Sequence, residues 1–227
     1  MLVNFDLDKT YQYFLISLAF LMPLTVSGAN IIITIICFLW LFSGDYKAKY
    51  NQIMSSKVMI ASIVFYCIHV IGMIWTEDIQ WGLHILHKMW YFVLLFPILF
   101  TIVERKYIKY YVSAFLLAIV VTEIASYLVW FQIISPNIFP GIGFGSFASV
   151  ENPSPFMSHI SYNPILAFTI YIVLHEIFFN KKITNFVFSL YSFFAISMIV
   201  NMFITGGRAG QVAFFAMLVV LIIQILD

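Results

Sequence analysis

Eight apolar runs, most of them long enough to cross a membrane, constrain the fold of this chain more than any other feature. A membrane-spanning helix needs roughly 20 mostly apolar residues, whereas a membrane barrel would show short segments of alternating polarity. Hydrophobic residues make up 63% of the 227 residues and charged residues only 9%, although a soluble domain carries roughly 25% charged residues. The sequence therefore predicts an all-α, polytopic membrane protein with about eight transmembrane helices. The predicted spans are residues 11–27, 29–43, 57–75, 89–103, 107–135, 161–179, 185–204 and 209–226.

Little of the chain lies outside these runs, so we expect residues 1–227 to form a single transmembrane domain. The longest hydrophilic segment is the loop of residues 135–159, which is predicted on the outer face and is rich in proline and glycine. The motif Ser27-Gly28-Ala29-Asn30 separates the first two runs and predicts a tight turn between antiparallel helices. A net charge of +1 gives no reason to propose a nucleic acid as partner. The sequence has no metal-ligand spacing and no P-loop, so neither a metal nor another cofactor is expected.

The basic residues predict the orientation of the chain, because cytoplasmic loops carry an excess of lysine and arginine. With the N-terminus inside, nine of the eleven basic residues fall on the cytoplasmic side, and only Lys88 and Arg208 fall on the outer side. We therefore expect a cytoplasmic N-terminus and an even number of spans. The nine are Lys9, Lys47, Lys49, Lys57, Arg105, Lys106, Lys109, Lys181 and Lys182.

Arg208 is the most informative residue of the predicted outer face, since it stands in a glycine-broken turn, residues 205–211, before the last apolar run. A guanidinium carries five donors in a fixed fork that suits bidentate phosphate recognition. The glycines would let a ligand or another backbone approach closely, and the start of the following helix favours an anion. The alternative is an interfacial arginine that snorkels to the membrane surface.

Lys88 and His159 are further candidates on the outer face. His84 and Lys88 are four residues apart, so a helix would put them on one face. There they would either hold an anionic head group or act as interfacial anchors. His159 precedes Ser161-Tyr162-Asn163-Pro164, in which serine as cap and proline in the first turn predict a helix start. His159 would then lie at the mouth of the sixth span, as a general base, a ligand-binding residue or an ordinary interfacial histidine.

Glu123 and His69 are ionisable residues inside predicted spans. Glu123 shares a helix face with Ser126 and Trp130, and an intramembrane carboxyl group is costly and usually functional. Its structural alternative is a protonated glutamic acid hydrogen-bonded to a neighbouring helix, and internal packing is the simpler explanation for His69. A membrane transporter or permease, with Glu123 and His69 lining a polar path, is therefore an alternative of a different class. The paired repeats with broken helices that would favour a transporter are not seen.

Three stretches of the sequence carry a likeness to a known family and extend it over nearly the whole chain. They resemble the O-antigen ligase/polymerase superfamily of bacterial envelope glycan enzymes. Arg208 matches the arginine of the family's Thr-x-Ser-Arg-Gly-type element, although Gly207 replaces the usual serine. Lys88 matches the basic residue that follows the family's Trp-Thr/Ser-x-Asp stretch. The stretches are Pro23-Leu24 with Ser27-Gly28-Ala29-Asn30; Gly72-Met73-Ile74-Trp75-Thr76-Glu77-Asp78, through Gly82-Leu83 to Lys88, with Pro97 beyond; and Thr205-Gly206-Gly207-Arg208-Ala209-Gly210.

The resemblance implies a glycosyltransferase of lipopolysaccharide biosynthesis in the bacterial inner membrane. Such an O-antigen ligase moves a glycan from undecaprenyl pyrophosphate to lipid A–core at the periplasmic face, without nucleotide or metal. Arg208 and Lys88 would then bind the pyrophosphate. An O-antigen repeat-unit polymerase or a protein O-oligosaccharyltransferase would use the same donor and differ only in the acceptor.

The family also has further C-terminal helices and a large periplasmic loop with a late histidine, which this chain lacks. We therefore expect the chain to correspond to the N-terminal portion of such an enzyme, or to an inactive truncated product. A non-catalytic membrane assembly partner is the remaining alternative.

Overall fold

The computed structural model describes residues 7–136 and 148–226, and within these ranges the chain is all-helical. Three short 3₁₀ turns, Met73–Trp75, Trp90–Phe92 and Arg105–Tyr107, lie between some of the helices. The predicted all-α class is confirmed. The α-helices of the described residues are α1 Leu7–Leu21, α2 Val26–Phe42, α3 Tyr46–Ser55, α4 Lys57–Gly72, α5 Ile79–Lys88, α6 Leu95–Ile102, α7 Ile108–Trp130, α8 His159–Phe179, α9 Asn185–Ile204 and α10 Arg208–Leu226.

Five helical segments of the described chain are long and apolar enough to cross a membrane, and the number rises to seven if two bent helix pairs each count as one span. Large apolar side chains point outward from them; Phe186 and Phe193, for example, are 77% and 73% exposed. So much exposed apolar surface is typical of helices that face lipid. The chain is thus a multi-pass membrane protein. The five segments are Lys57–Trp75, Arg105–Trp130, His159–Phe179, Asn185–Ile204 and Arg208–Leu226.

The predicted span 89–103 is interrupted in the structure. The 3₁₀ turn Trp90–Phe92 precedes α6, and Pro97 lies in the first turn of α6, where a missing N–H group is tolerated. The segment Trp90–Ile102 is shorter than the roughly 20 residues that a span needs. It reaches membrane length only together with Ile79–Lys88, from which it is bent by 45°.

Two predicted helix boundaries are wrong. Residues 27–30 do not form a turn: α1 ends before Pro23, and Thr25 Oγ1 accepts a hydrogen bond of 3.2 Å from the Gly28 N–H inside α2. Pro23 cannot continue a helix that needs its N–H group, so the turn occupies residues 22–25 instead. The sixth span begins at His159 with Ser158 as its cap, which leaves Ser161 within the first turn.

The chain divides into two units, each with its own internal contacts. The first unit comprises Met1–Leu18 and Asn30–Tyr110. In it, side chains from other helices bind the end of α6: Gln12 donates to the Ile102 oxygen at 3.0 Å, and Gln52 donates to the Phe100 oxygen at 3.2 Å. These bonds satisfy carbonyl groups that a helix end leaves without intrahelical partners.

The second unit comprises Ala19–Ala29 and Tyr111–Asp227, and it contains most of α7 and all of α8, α9 and α10. Its apolar core lies around α8, whose inward-facing side chains are fully buried. This unit also holds most of the buried polar side chains. The core residues are Ile119, Met157, Tyr162, Leu166, Ala167, Ile170, Val173, Ala195, Met198, Met202 and Phe214.

Candidate functional site

The start of α10 packs directly on the first turns of α8 because two glycines remove the side chains that would keep the helices apart. A Cβ atom on Gly207 would lie 2.9 Å from the His159 carbonyl oxygen and would collide with the side-chain amide of Asn163. A Cβ atom on Gly210 would lie 2.8 Å from the Asn163 Cα atom. Small residues allow such close approach of membrane helices. Of the two uses expected for these glycines, the approach of another backbone is therefore the one observed.

This packing brings Arg208 and His159 to the same end of the helix pair, although they are distant in the sequence. Arg208 is the first residue of α10 and follows Gly207, which touches the His159 carbonyl. The Gly206 backbone, with φ of +67°, makes the turn that leads into α10. That left-handed conformation costs glycine little.

The guanidinium of Arg208 is exposed, and it has no hydrogen-bond or ion-pair partner among residues 7–136 and 148–226. In α10, the N–H groups of Gly210 and Gln211 already donate to the Gly207 oxygen. The N–H groups just before them lack intrahelical partners, as in any first helical turn. A free cation therefore lies beside free backbone donors, which is the arrangement that binds an anion.

A buried polar network fixes this junction from the inside. Asn163 is fully buried; its Oδ1 accepts from the Thr205 hydroxyl at 2.6 Å, and its Nδ2 donates to the Met202 oxygen at 3.3 Å. The Thr205 hydroxyl also lies 2.9 Å from the Asn201 oxygen. These bonds join α8 to the C-terminal end of α9. The sequence analysis did not predict these hydrogen bonds, although Asn163 and Thr205 each stand in a motif that it discussed.

His159 is half-buried, and its Nδ1 lies at hydrogen-bond distance from the side-chain nitrogen of Asn152. The donor and acceptor roles in this contact depend on the tautomer of the ring, and the Asn152 side chain offers both a donor nitrogen and an acceptor oxygen. His159 therefore stays a candidate either to bind a ligand or to act as a general base.

The segment that carries Asn152 is itself tied to the helices. The Ser126 hydroxyl of α7 is hydrogen-bonded to the Pro153 oxygen and lies 3.1 Å from Oδ1 of Asn201. Ser154, which is also buried, lies 3.4 Å from the Asn152 side chain. Residues 137–147 of the long loop predicted on the outer face lie outside the described residues.

Glu123 lies deeper in α7 and is only 4% exposed. Its Oε1 atom has no hydrogen-bond partner among the described residues, and the same holds for the Tyr162 hydroxyl and for Nδ2 of Asn201. Ser197 of α9 is a polar neighbour of the carboxyl group. The predicted burial of Glu123 inside a span is therefore observed, together with an unsatisfied hydrogen-bonding capacity that the sequence did not reveal.

Lys88 and His69 belong to the first unit. Lys88 ends α5 and is exposed, as is His84, whose ring lies 5.4 Å from the ring of Trp81. His69 is half-buried and bonds within its own helix, with Nδ1 at 2.8 Å from the Phe65 oxygen. The local bond explains His69 without a ligand.

No group of three or more His, Cys, Asp or Glu side chains within residues 7–136 and 148–226 could hold a metal ion. Comparison of the chain with protein-family models, with curated proteins and with solved structures gives no match. The site is therefore interpreted from its own geometry, in which Arg208 at the start of α10 and His159 at the start of α8 lie at the same end of the helix pair.

Proposed function

We propose that the protein binds a lipid-linked pyrophosphate at the start of α10, as an O-antigen ligase-like glycan transferase does. The observation that carries this proposal is the exposed guanidinium of Arg208, which has no partner among the described residues. It belongs to a helix start that packs on the first turn of α8 through the contact of Gly207 with Asn163. Two kinds of donor belong to the start of α10: the guanidinium fork and the free N–H groups of the first turn. The ring of His159, whose backbone oxygen lies against Gly207, is proposed as a third.

The chemistry of glycan transfer from a polyprenyl pyrophosphate suits such a site. The bond to the pyrophosphate is already activated, so the protein must chiefly stabilise the negative charge that develops on the leaving group. It must also hold the acceptor hydroxyl in line. Arg208 would bind the phosphate oxygens in bidentate fashion, and His159 would bind the anion or act as the general base.

The location follows from the charge distribution of the sequence. With nine of eleven basic residues on one side, the positive-inside rule puts the N-terminus in the cytoplasm and Arg208 on the periplasmic face. We infer eight spans, an inner-membrane location and undecaprenyl pyrophosphate as the carrier, with lipid A–core as the acceptor. For Lys88 of the first unit, we propose that it binds an anionic head group together with His84. A repeat-unit polymerase or a protein O-oligosaccharyltransferase would use the same donor site.

Binding of undecaprenyl pyrophosphate to the purified protein in lipid nanodiscs tests the proposal. Loss of two charge-assisted hydrogen bonds, each contributing roughly 1.5–3 kcal/mol, predicts that Arg208→Ala weakens binding by at least about a hundredfold. Arg208→Lys should restore little, because an ammonium group does not reproduce the bidentate fork. Arg105→Ala, which removes an exposed arginine predicted to face the cytoplasm, is the matched control.

The same variants, at matched expression, should be scored for ladder-bearing lipopolysaccharide in cells. Arg208→Ala should remove the ladder and Arg105→Ala should retain it. Unchanged pyrophosphate binding by Arg208→Ala would refute the proposed site. Retained binding without any transfer activity would instead favour a non-catalytic partner.

A further inference from the structure

A long groove separates α7 from α9 within the second unit. It has a volume of about 840 Å³ and extends along α7 from Ser113 to Tyr127, which corresponds to roughly 21 Å at the rise of an α-helix. Phe131, just beyond the end of α7, also lines it. On α9 it is lined by residues from Leu190 to Ser197. Both helices belong to membrane-span candidates.

The groove opens toward the lipid-facing surface of the unit. The side chains along its edges are exposed by more than half: Leu117 by 57%, Ile124 by 56%, Phe193 by 73% and Ile196 by 63%. A molecule that enters it must therefore come from the hydrocarbon phase. The apolar walls suit the body of such a molecule, and the volume lies within the range of roughly 300–1,000 Å³ that small-ligand sites occupy.

One part of the groove is polar, and it is centred on Glu123. The carboxyl group is nine-tenths buried or more, its Oε1 has no partner among the described residues, and Ser197 is its polar neighbour in the groove lining. Tyr127, which also lines the groove, is engaged elsewhere, because its hydroxyl donates to the Ser197 oxygen at 2.8 Å. The terminal torsion of glutamate is soft, so either carboxyl oxygen can turn toward the groove.

We propose that this groove binds an uncharged long-chain alcohol, with its hydroxyl group on Glu123 and its hydrocarbon body along α7. A hydroxyl group both donates and accepts, so it satisfies the carboxyl group in either protonation state. An ammonium group would bring a second charged group out of water, and a phosphate would place negative charge beside a carboxyl group. The site is therefore distinct from the anion site at Arg208 and does not depend on it.

Photoaffinity labelling of the purified chain in lipid nanodiscs tests the proposal. The probe is hexadecanol with a diazirine in its tail, and its matched control is the methyl ether of the same compound, which accepts a hydrogen bond but cannot donate one. We expect the alcohol to label groove residues of α7 and α9, and the ether to label them about tenfold less, the effect of one net hydrogen bond. Labelled peptides are mapped by mass spectrometry.

Variants of the protein give the second half of the test. Glu123→Leu should lower labelling by the alcohol about tenfold, whereas Glu123→Gln, which still accepts and donates, should keep it within about twofold. Ser197→Phe should block the groove sterically without removing the carboxyl group. Gln224→Leu removes a polar group of α10, bonded to Tyr171 at 2.9 Å, and should leave groove labelling unchanged.

Equal labelling by alcohol and ether in the unaltered protein would overturn the proposal, and this result does not depend on whether any variant folds. Undiminished labelling of a monodisperse Glu123→Leu variant would overturn it as well. Cross-links between two copies of the chain at the groove, in place of probe labelling, would show that a neighbouring helix occupies it.

Discussion

Replacing Gly207 by alanine tests whether the contact between α8 and α10 holds the candidate site together. The added Cβ atom would lie 2.9 Å from the backbone oxygen of His159 and would collide with the Asn163 side-chain amide. Overpacking of this kind costs about 1–3 kcal/mol. For a chain of this length, such a loss lowers the unfolding temperature by about 2–4 °C per kcal/mol, so we expect a decrease of about 2–12 °C in total.

Two matched substitutions separate the collision from a general effect of alanine. Gly72 lies in α4, and a Cβ atom there would meet nothing within 4 Å, so Gly72→Ala should leave stability unchanged or raise it by about 0.4–1 kcal/mol. Gly210→Ala would collide with the backbone of Asn163, which cannot be trimmed by mutation, and should be destabilising in every background.

A double-mutant cycle gives the decisive measurement. Asn163→Ala removes the side chain that Gly207→Ala would strike, so the two changes together should cost less than the sum of the single changes, by about 0.5–3 kcal/mol. Stability is measured by thermal and denaturant unfolding in one detergent, followed by circular dichroism. Additive costs, or a Gly207→Ala variant as stable as the unaltered protein, would refute the close packing of α10 on α8. The position of Arg208 beside His159 would then lose its structural basis.

Three other predictions concern topology, the buried carboxyl group and the polar junction. Reporter fusions at positions 48, 106 and 182 should be cytoplasmic and those at positions 80, 145 and 207 periplasmic; a cytoplasmic signal at 145 would contradict the predicted orientation. Glu123→Gln should leave folding nearly unchanged, because the amide keeps its hydrogen-bonding capacity, whereas loss of a proton-coupled uptake activity in this variant would favour a transporter. Thr205→Val leaves the buried Oδ1 of Asn163 without its donor and should destabilise the chain by about 1–3 kcal/mol; an unchanged unfolding transition would argue against the network.

The five long span candidates follow from the sequence alone, because the hydrophobicity of a segment is a local property. The helices α7, α9 and α10 begin and end within a few residues of the predicted spans, and α10 begins at Arg208, next to the predicted first residue. The same local analysis placed Arg208 at a helix start, since a glycine-rich break between two apolar runs leaves few other possibilities. Glu123 was equally visible, because a carboxyl group stands out in an apolar run.

Pairing between distant segments is decided only by the tertiary structure. The residues that flank Gly207 in the sequence do not indicate that Asn163 fills the space of its missing side chain. They also do not indicate that this contact brings the start of α8, with His159, next to Arg208. The contact of His159 with Asn152 is likewise tertiary, and the unsatisfied oxygen of Glu123 depends on which donors α8 and α9 bring near it. Hydropathy identifies which residues leave water, but the close packing of helices determines which polar groups meet. Close packing depends on the shapes of side chains that are far apart in the sequence.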